Sequence, residues 1–443
     1  MTEKLWNRDF SLLVTARCFA MFGNAIYSFV LPLFILDISG SPALFGTVLA
    51  LSFIPPIIMS PIGGTIGDRG RKQRIMLGVD IGTSAIMALA IVVMHLMAGN
   101  GFAATIVPII IVKLIALNVL NGLYNPVVVA SLPFLVPEDK LVKANAISDA
   151  VGMSVPNLAG PIVGGILYAA FGLVPVLAVM LALSAVAAVL DLFIRIPFKA
   201  QEPSQGSIAG MLKKDLAQCA RFIAKEKPSI GRAIFNIALF AVFSMGMVWV
   251  ALPVLIGQTL GMYTGLVGIS FGVMMGGSML GNILTGALEK KLSIQKAHRL
   301  MLLAGIMIAP IGLVFFLGVP AGIAYIVITV SAVLMMMFQN GMVFIQFLAF
   351  VQRETSDELM GKVIAVIFSI LFATGAAGQL LFGMLFERFY AQPWLVMFFA
   401  SFVSCAIAVY SRKSFARIGA EEPRGETASA AATGAVDILK QPS

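Results

Sequence analysis

Charge is what this chain has least of. Only 12% of its 443 residues are Asp, Glu, Lys or Arg, about half of the ~25% that a water-soluble domain carries. With 59% of residues hydrophobic, no soluble fold of this length hides its apolar surface, so a polytopic membrane protein is expected. Histidine is nearly missing. His95 and His298 stand far apart and outside any HExxH context, which argues against metal-hydrolase chemistry, and no metal or other cofactor is expected. The three cysteines, Cys18, Cys219 and Cys405, are odd in number and share no spacing, which argues against a disulfide framework or a zinc site. No GxxxxGK[ST] loop is present, so an ion gradient rather than ATP is the expected energy source. A membrane enzyme would need His, Ser or Asp clustered at one membrane face, and a receptor would need an extramembrane domain. Neither pattern is visible, and no enzyme is expected. The N-terminal stretch does not read as a cleavable leader, because Arg17 interrupts it and it runs on to Leu36.

What the chain has in abundance is apolar runs of bilayer length. A hydrocarbon core needs roughly 20 residues of helix. Such runs fall near 9–36, 42–66, 75–97, 103–133, 141–169, 172–195, 230–256, 263–288, 298–318, 321–350, 360–386 and 393–411. The expected fold is therefore all-α and integral to the membrane, with twelve transmembrane helices.

The few charges are distributed unevenly. Arg69, Arg71, Lys72 and Arg74 follow span two, and Lys140 and Lys143 follow span four. Lysines and arginines also crowd the segment after span six, the loops after spans eight and ten, and the tail. The loops on the opposite side hold one basic residue, Arg388. The positive-inside rule then places both termini in the cytoplasm, with the chain in the cell membrane. The net charge of +9 is a consequence of topology and of anionic lipid; no nucleic-acid partner is expected.

The chain divides in the middle. Residues 197–228 form the one long polar stretch between spans. Within it Ile208, Leu212, Leu216, Cys219 and Ile223 recur at helical spacing among lysines, the pattern of an amphipathic helix lying on a membrane surface. Residues 1–196 and 229–412 would form two six-helix bundles, and 413–443 a disordered tail. LVPEDKLVKANAI (135–147) after span four and RETSDELMGKVIAV (353–366) after span ten form a weak repeat, as in transporters built from parallel repeats.

Two motifs are more specific. Gly64-Thr65-Ile66-Gly67-Asp68-Arg69-Gly70-Arg71-Lys72 resembles the signature loop of the major facilitator superfamily, G-x-x-x-D-R-x-G-R-[RK], at the position between spans two and three where that family carries it. The second glycine comes one residue early. The resemblance implies that Gly64, Asp68, Arg69, Arg71 and Lys72 form a gating loop holding the two pseudo-symmetric halves together in one conformation. In span five, Gly160-Pro161-x-x-Gly164-Gly165 places glycines four apart on one helix face, where a neighbouring helix can approach closely. Pro161 would kink the span. The same residues resemble the core of the antiporter motif of the superfamily's drug exporters, although Pro156 stands where that motif has an upstream glycine. Residues 117–147, with Asn125-Pro126 and the LPFLVPEDKLVKANA run, are similar to the macrolide-efflux type of drug:proton antiporter.

In this superfamily spans one, four, seven and ten line a central cavity, and polar residues fall on those spans here. Asn24 and Ser28 in span one share a stripe with Arg17. Asn118, Asn121 and Asn125 share one in span four, with Lys113 nearer its end. Asn236 lies in span seven, and Gln339, Asn340 and Gln346 in span ten. Polar groups within a bilayer face protein or water. Arg17 and Asp149 are placed to form a buried ion pair, and Asp37, Asp80, Asp191 and Glu289 are further carboxylates near span ends. The resemblance implies a secondary active exporter of amphipathic compounds, working by proton antiport and alternating access as a monomer. A dedicated exporter or flippase of one metabolite or lipid, such as a siderophore or lysophospholipid, fits the same pattern. A nutrient symporter fits it less well.

Orientation is testable directly. In a chain whose native cysteines are replaced by serine, Lys143→Cys should react with impermeant maleimide only in everted vesicles, and Gln392→Cys only in intact cells. The reverse pattern would overturn the assigned topology.

Overall fold

The computed structural model describes residues 5–97, 102–197, 217–219, 221–288 and 292–418, except for the side chains of 60–61, 64–69, 97, 102–105, 138, 142 and 357–358. Among the described residues there is no strand, and twelve helices are long and apolar enough to cross a membrane. In chain order they are α1 (Arg8–Ser39), α2 (Pro42–Arg69), α3 (Lys72–Met97), α4 (Phe102–Ser131), α5 (141–171), α6 (Leu173–Phe193), α7 (Pro228–Thr259), α8 (Thr264–Ala287), α9 (Ile294–Phe316), α10 (Ala321–Glu354), α11 (Asp357–Arg388) and α12 (Pro393–Ile418).

Helix dominates because lipid offers the backbone no hydrogen-bond partners. The largest side chains on the outside are apolar too: Leu96, Phe402 and Tyr410 are each more than two-thirds exposed. Four of the hairpins opposite the basic loops are closed by glycine. Gly40, Gly172, Gly261 and Gly318 all have φ between 60° and 75°, a left-handed conformation that side chains resist. At Gly40 the N–H returns to the Leu36 carbonyl at 2.9 Å, and at Gly172 to that of Tyr168 at 2.8 Å. These glycines stop α1, α5, α7 and α9 at one level, here called the far end; the other is the basic end.

Within the first six helices, α1 packs on α5 and α6, α3 on α6, and α2 on α4. Within the last six, α7 packs on α11 and α12, α9 on α12, and α8 on α10. The two sets meet along α2–α11 and α5–α8.

Several spans are less regular than their hydropathy suggests. In α5 a π turn at Ala150–Ser154 separates Leu141–Asp149 from Val155–Phe171. The irregularity therefore falls just before Pro156, and the helix runs on through Pro161, where a kink was expected. A π turn accommodates a proline that cannot donate to the ladder. Similar turns occupy Pro253–Thr259 in α7 and Met337–Val343 in α10. α12 continues to Ile418, past the expected start of the tail, because Phe415 is buried and docks the last turns. Of the expected surface helix, residues 217–219 and 221–226 are helical, with Cys219 and Phe222 buried. Ile208, Leu212 and Leu216 lie outside the described residues, as does 419–443.

The α5–α8 crossing depends on absent side chains. A Cβ on Gly165 would sit 2.9 Å from the Gly268 Cα, and one on Gly268 would strike the Pro161 carbonyl. On the other side of α5, a Cβ on Gly160 would meet that of Ala25 at 2.5 Å, and one on Gly164 would meet Val30 at 3.0 Å. α5 is thus wedged between α1 and α8 on two glycine-bearing faces. Gly268→Leu should lower folded stability by about 1–3 kcal/mol through overpacking, with membrane expression retained. An unchanged unfolding midpoint in detergent would show that the crossing tolerates bulk.

Candidate transport site

The contact between the halves is concentrated at the far end. The Glu387 carboxylate on α11 accepts hydrogen bonds from the Ser41 hydroxyl at 2.5 Å and from the Ala43 N–H at 2.9 Å. It thereby caps the start of α2, where a negative charge suits the helix dipole. Along α5–α8 the close approaches run from Gly165–Gly268 to Leu158–Gly276. Closer to the basic end, Val151, Met153 and Val155 on α5 are exposed. Near the middle, Phe29 of α1, Phe271 of α8 and Trp249 of α7 form an aromatic cluster that crosses between the halves, with centroids 5.2 Å and 5.4 Å from Phe271. Phe53 of α2 stacks on Phe372 of α11 at 5.6 Å. Composition hides these rings among 32 phenylalanines; nothing in the spacing singles them out.

The polar residues expected along a pathway separate into groups. Ser28 is exposed and donates to Asn24 Oδ1 at 3.1 Å. Asn24 and Asn121 line one cleft together with Tyr27, Asp80, Tyr124 and Ser184. Its cavity volume is about 30 Å³, enough for one or two waters and far below the several hundred Å³ that a drug-sized ligand fills. It lies among α1, α3, α4 and α6, inside the first half. Asn118 and Asn236 are buried, and each donates to a carbonyl of its own helix, Leu114 and Arg232 respectively. Gln339 is buried on the α10 π turn and Gln346 just beyond it, with Gln339 Oε1 and both Gln346 amide atoms lacking a partner. Asn340 and Asn125 are half-buried, and Asn125 Oδ1 is unpartnered. Lys113 lines a separate, apolar hollow with Leu31, Ala90, Met94 and Leu177, apart from the asparagine stripe with which it was grouped.

The charged candidates also divide. Arg17 Nη1 donates to Ser148 Oγ at 2.5 Å and pairs with Asp149 Oδ1 at 3.1 Å. Only one partner is buried: the Arg17 side chain is 1% exposed and that of Asp149 61%. The expected buried pair is therefore an arginine held inside the helices by a carboxylate in the open. Space made by Gly152 permits this, since a Cβ there would lie 2.7 Å from Arg17 Cδ. Asp37 is exposed at the far end and accepts from the Tyr168 hydroxyl at 2.8 Å, a tie between α1 and α5. Lys72 lies 4.7 Å from the centre of the Phe134 ring, a cation–π contact that anchors the start of α3. The side chains of Asp68 and Arg69, the position of Gly64 relative to its neighbours, and Glu289 lie outside the described residues.

Twelve spans with glycine-lined crossings and polar residues on the inner faces are a transporter's architecture, and comparison with known sequences decides whose. A profile of the Major Facilitator Superfamily matches residues 13–378. The chain belongs to that superfamily. Macrolide efflux protein A of Streptococcus pyogenes is 22% identical over 407 residues, covering 88% of this chain and 93% of its own. Among solved structures in the family's fold, a bacterial homologue of the iron transporter ferroportin in the inward-facing state superposes with a TM-score of 0.66 at 16% identity, covering 93% of this chain and 98% of that one. A D-xylose–proton symporter superposes with a TM-score of 0.68 at 14% identity, covering 92% and 96%. At such identities these two share the fold. The chain is thus a multi-pass membrane transporter of the superfamily.

The unequal burial of the Arg17–Asp149 pair has a measurable consequence. Asp149→Asn should cost about 3–5 kcal/mol, because it leaves the buried Arg17 guanidinium without its counter-ion. Gly152→Val should cost about 1–3 kcal/mol by displacing the Arg17 stem. Thermal unfolding in detergent distinguishes the two; equal losses would contradict the assigned geometry.

Proposed function

We propose that the protein exports amphipathic compounds of the macrolide or multidrug type from the cytoplasm, exchanging them for protons by alternating access. The observation that carries this reading is the α5 motif. Gly160, Pro161, Gly164 and Gly165 are the residues on which α5 meets α1 on one side and α8 on the other. A motif that resembles the exporters' antiporter signature therefore sits at the crossing that has to separate when the far end opens. The name of the S. pyogenes relative supports the same substrate class.

The rest of the reading follows from the positive-inside assignment. The far end is extracellular, and the state described is closed there by Glu387, Ser41 and the glycine crossings. Residues 1–196 and 229–412 act as two bundles joined by 197–228. Substrate enters from the basic end, past the exposed face of α5 and the Phe29–Phe271–Trp249 cluster. Large aromatic and methionine side chains repack around ligands of different shape. Asp68, Arg69, Arg71 and Lys72 hold the basic end shut in the opposite state. The small cleft around Asn24, Asp80 and Asn121 admits water and is not the substrate's seat.

Everted membrane vesicles, acidified inside and then given macrolides, cationic dyes, lysolipids and siderophores one at a time, test the proposal. Collapse of the pH gradient by several unrelated amphiphiles, lost in Gly165→Val, is the expected result. A response to a single lipid or siderophore would favour a dedicated exporter, and no response to any compound would overturn proton-coupled export of this class.

A further inference from the structure

Two carboxylates of the first half face each other in its interior. Asp80 on α3 and Asp191 on α6 lie in direct side-chain contact, 3% and 0% exposed. The surrounding contacts fix that placement. Gln73, at the start of α3, donates to the carbonyls of Asp191 and Leu192 at 3.0 Å each. Further along, Ser84 and Ser184 are hydrogen-bonded at 2.8 Å. The two helices are therefore pinned on both sides of the aspartates. Asp80 Oδ2 and both Asp191 oxygens have no hydrogen-bond donor.

The groups that face them come from each neighbouring helix. Tyr124 of α4 is 1% exposed, its hydroxyl is unpartnered, and it lies within electrostatic reach of Asp80, Asp191 and Arg17 alike. Arg17 of α1 is occupied on Nη1 by Ser148 and Asp149, while its Nε is buried without a partner. Tyr27 of α1 also has an unpartnered buried hydroxyl and lines the same cleft as Asp80. Lys113 of α4 lies eleven residues before Tyr124, about 16 Å along the helix. Asp149 of α5 is bound to Arg17 and open to solvent. The side chains of Asp68 and Arg69 are outside the described residues. No cation among the described residues bonds to either aspartate.

Two adjacent anions without a counter-ion are untenable in a water-poor interior. Replacing one negative charge by a shared O–H···O⁻ bond removes the repulsion and supplies the missing donor. We propose that Asp80 and Asp191 hold one proton between them, and that this dyad is a proton-binding site of the first half. Release converts the pair to two carboxylates and one proton, which passes to water in the adjoining cleft beside Tyr124 and Asn121. The guanidinium of Arg17 and the Tyr124 hydroxyl are the groups placed to steady the extra negative charge. The link from this site to transport rests on the antiport reading above; the proton itself does not.

Infrared spectroscopy of the protein in lipid, titrated with pH without any substrate, tests the site. The expected result is one protonated-carboxyl C=O band, shifted by ¹³C-aspartate labelling, that disappears in Asp80→Asn and in Asp191→Asn alike and persists in Asp37→Asn. The absence of such a band from the unmutated protein at every pH would overturn the proposal whether or not the variants fold. So would a band that survives both substitutions, or one displaced by sodium at constant pH, which would assign the site to a metal cation. A band that behaves as expected in a protein that fails the vesicle assay would leave the proton site standing and remove the export reading.

Discussion

Two helices in lipid gain little by hiding leucine against leucine, because the tails around them are as apolar as the side chains. What holds the halves together must come from close packing and from a few polar contacts. Here that constraint is met by glycine. Gly165 and Gly268 bring the backbones of α5 and α8 together, and Gly46 and Gly383 do the same for α2 and α11, where a Cβ on Gly383 would lie 2.7 Å from the Pro42 carbonyl. The Ser41–Glu387 hydrogen bond closes the same end. Such contacts are short-ranged. They are lost within a small separation. An interface of this kind suits a reversible seal better than a permanent one.

The first half keeps its buried charges toward the basic end, away from that seal. Arg17 is buried, yet its carboxylate partner stands in the open. Asp80 and Asp191 are buried with no cation bonded to them among the described residues. Tyr124 lies within electrostatic reach of both. A charge in this interior is expensive unless compensated. The π turn at Ala150–Ser154, directly after Asp149, is where a movement of Arg17 would be felt by α5.

Much of this was legible in the sequence, and the residues show why. Composition and twelve apolar runs determine the fold class, since lipid leaves the backbone few choices. The glycine spacing of 160–165 announces a close crossing. It does not say that α8 supplies the partner, because Gly268 sits in a span with many other glycines. Asp80 and Asp191 are each recognisable as carboxylates in apolar helices, but their pairing depends on the register of α3 against α6, which Gln73 and Ser84 set and periodicity cannot reveal. Arg17 and Asp149 could be matched by depth alone, whereas the exposure of Asp149 could not, and the π turn follows directly after it. That turn leaves only a weak mark, a proline at 156. For Lys113 polarity suggested a pathway, and packing places it in an apolar hollow apart from the asparagine stripe.

The central claim is that the α5–α8 crossing at the far end opens and closes. Spin labels at Phe171→Cys and Tyr263→Cys, both exposed beside that crossing, report its width by pulsed dipolar spectroscopy in lipid. The account predicts two distance populations, with the longer one changing in weight when pH or an amphipathic ligand is varied. A single short distance under all conditions, in a protein that transports at its full rate, would contradict it.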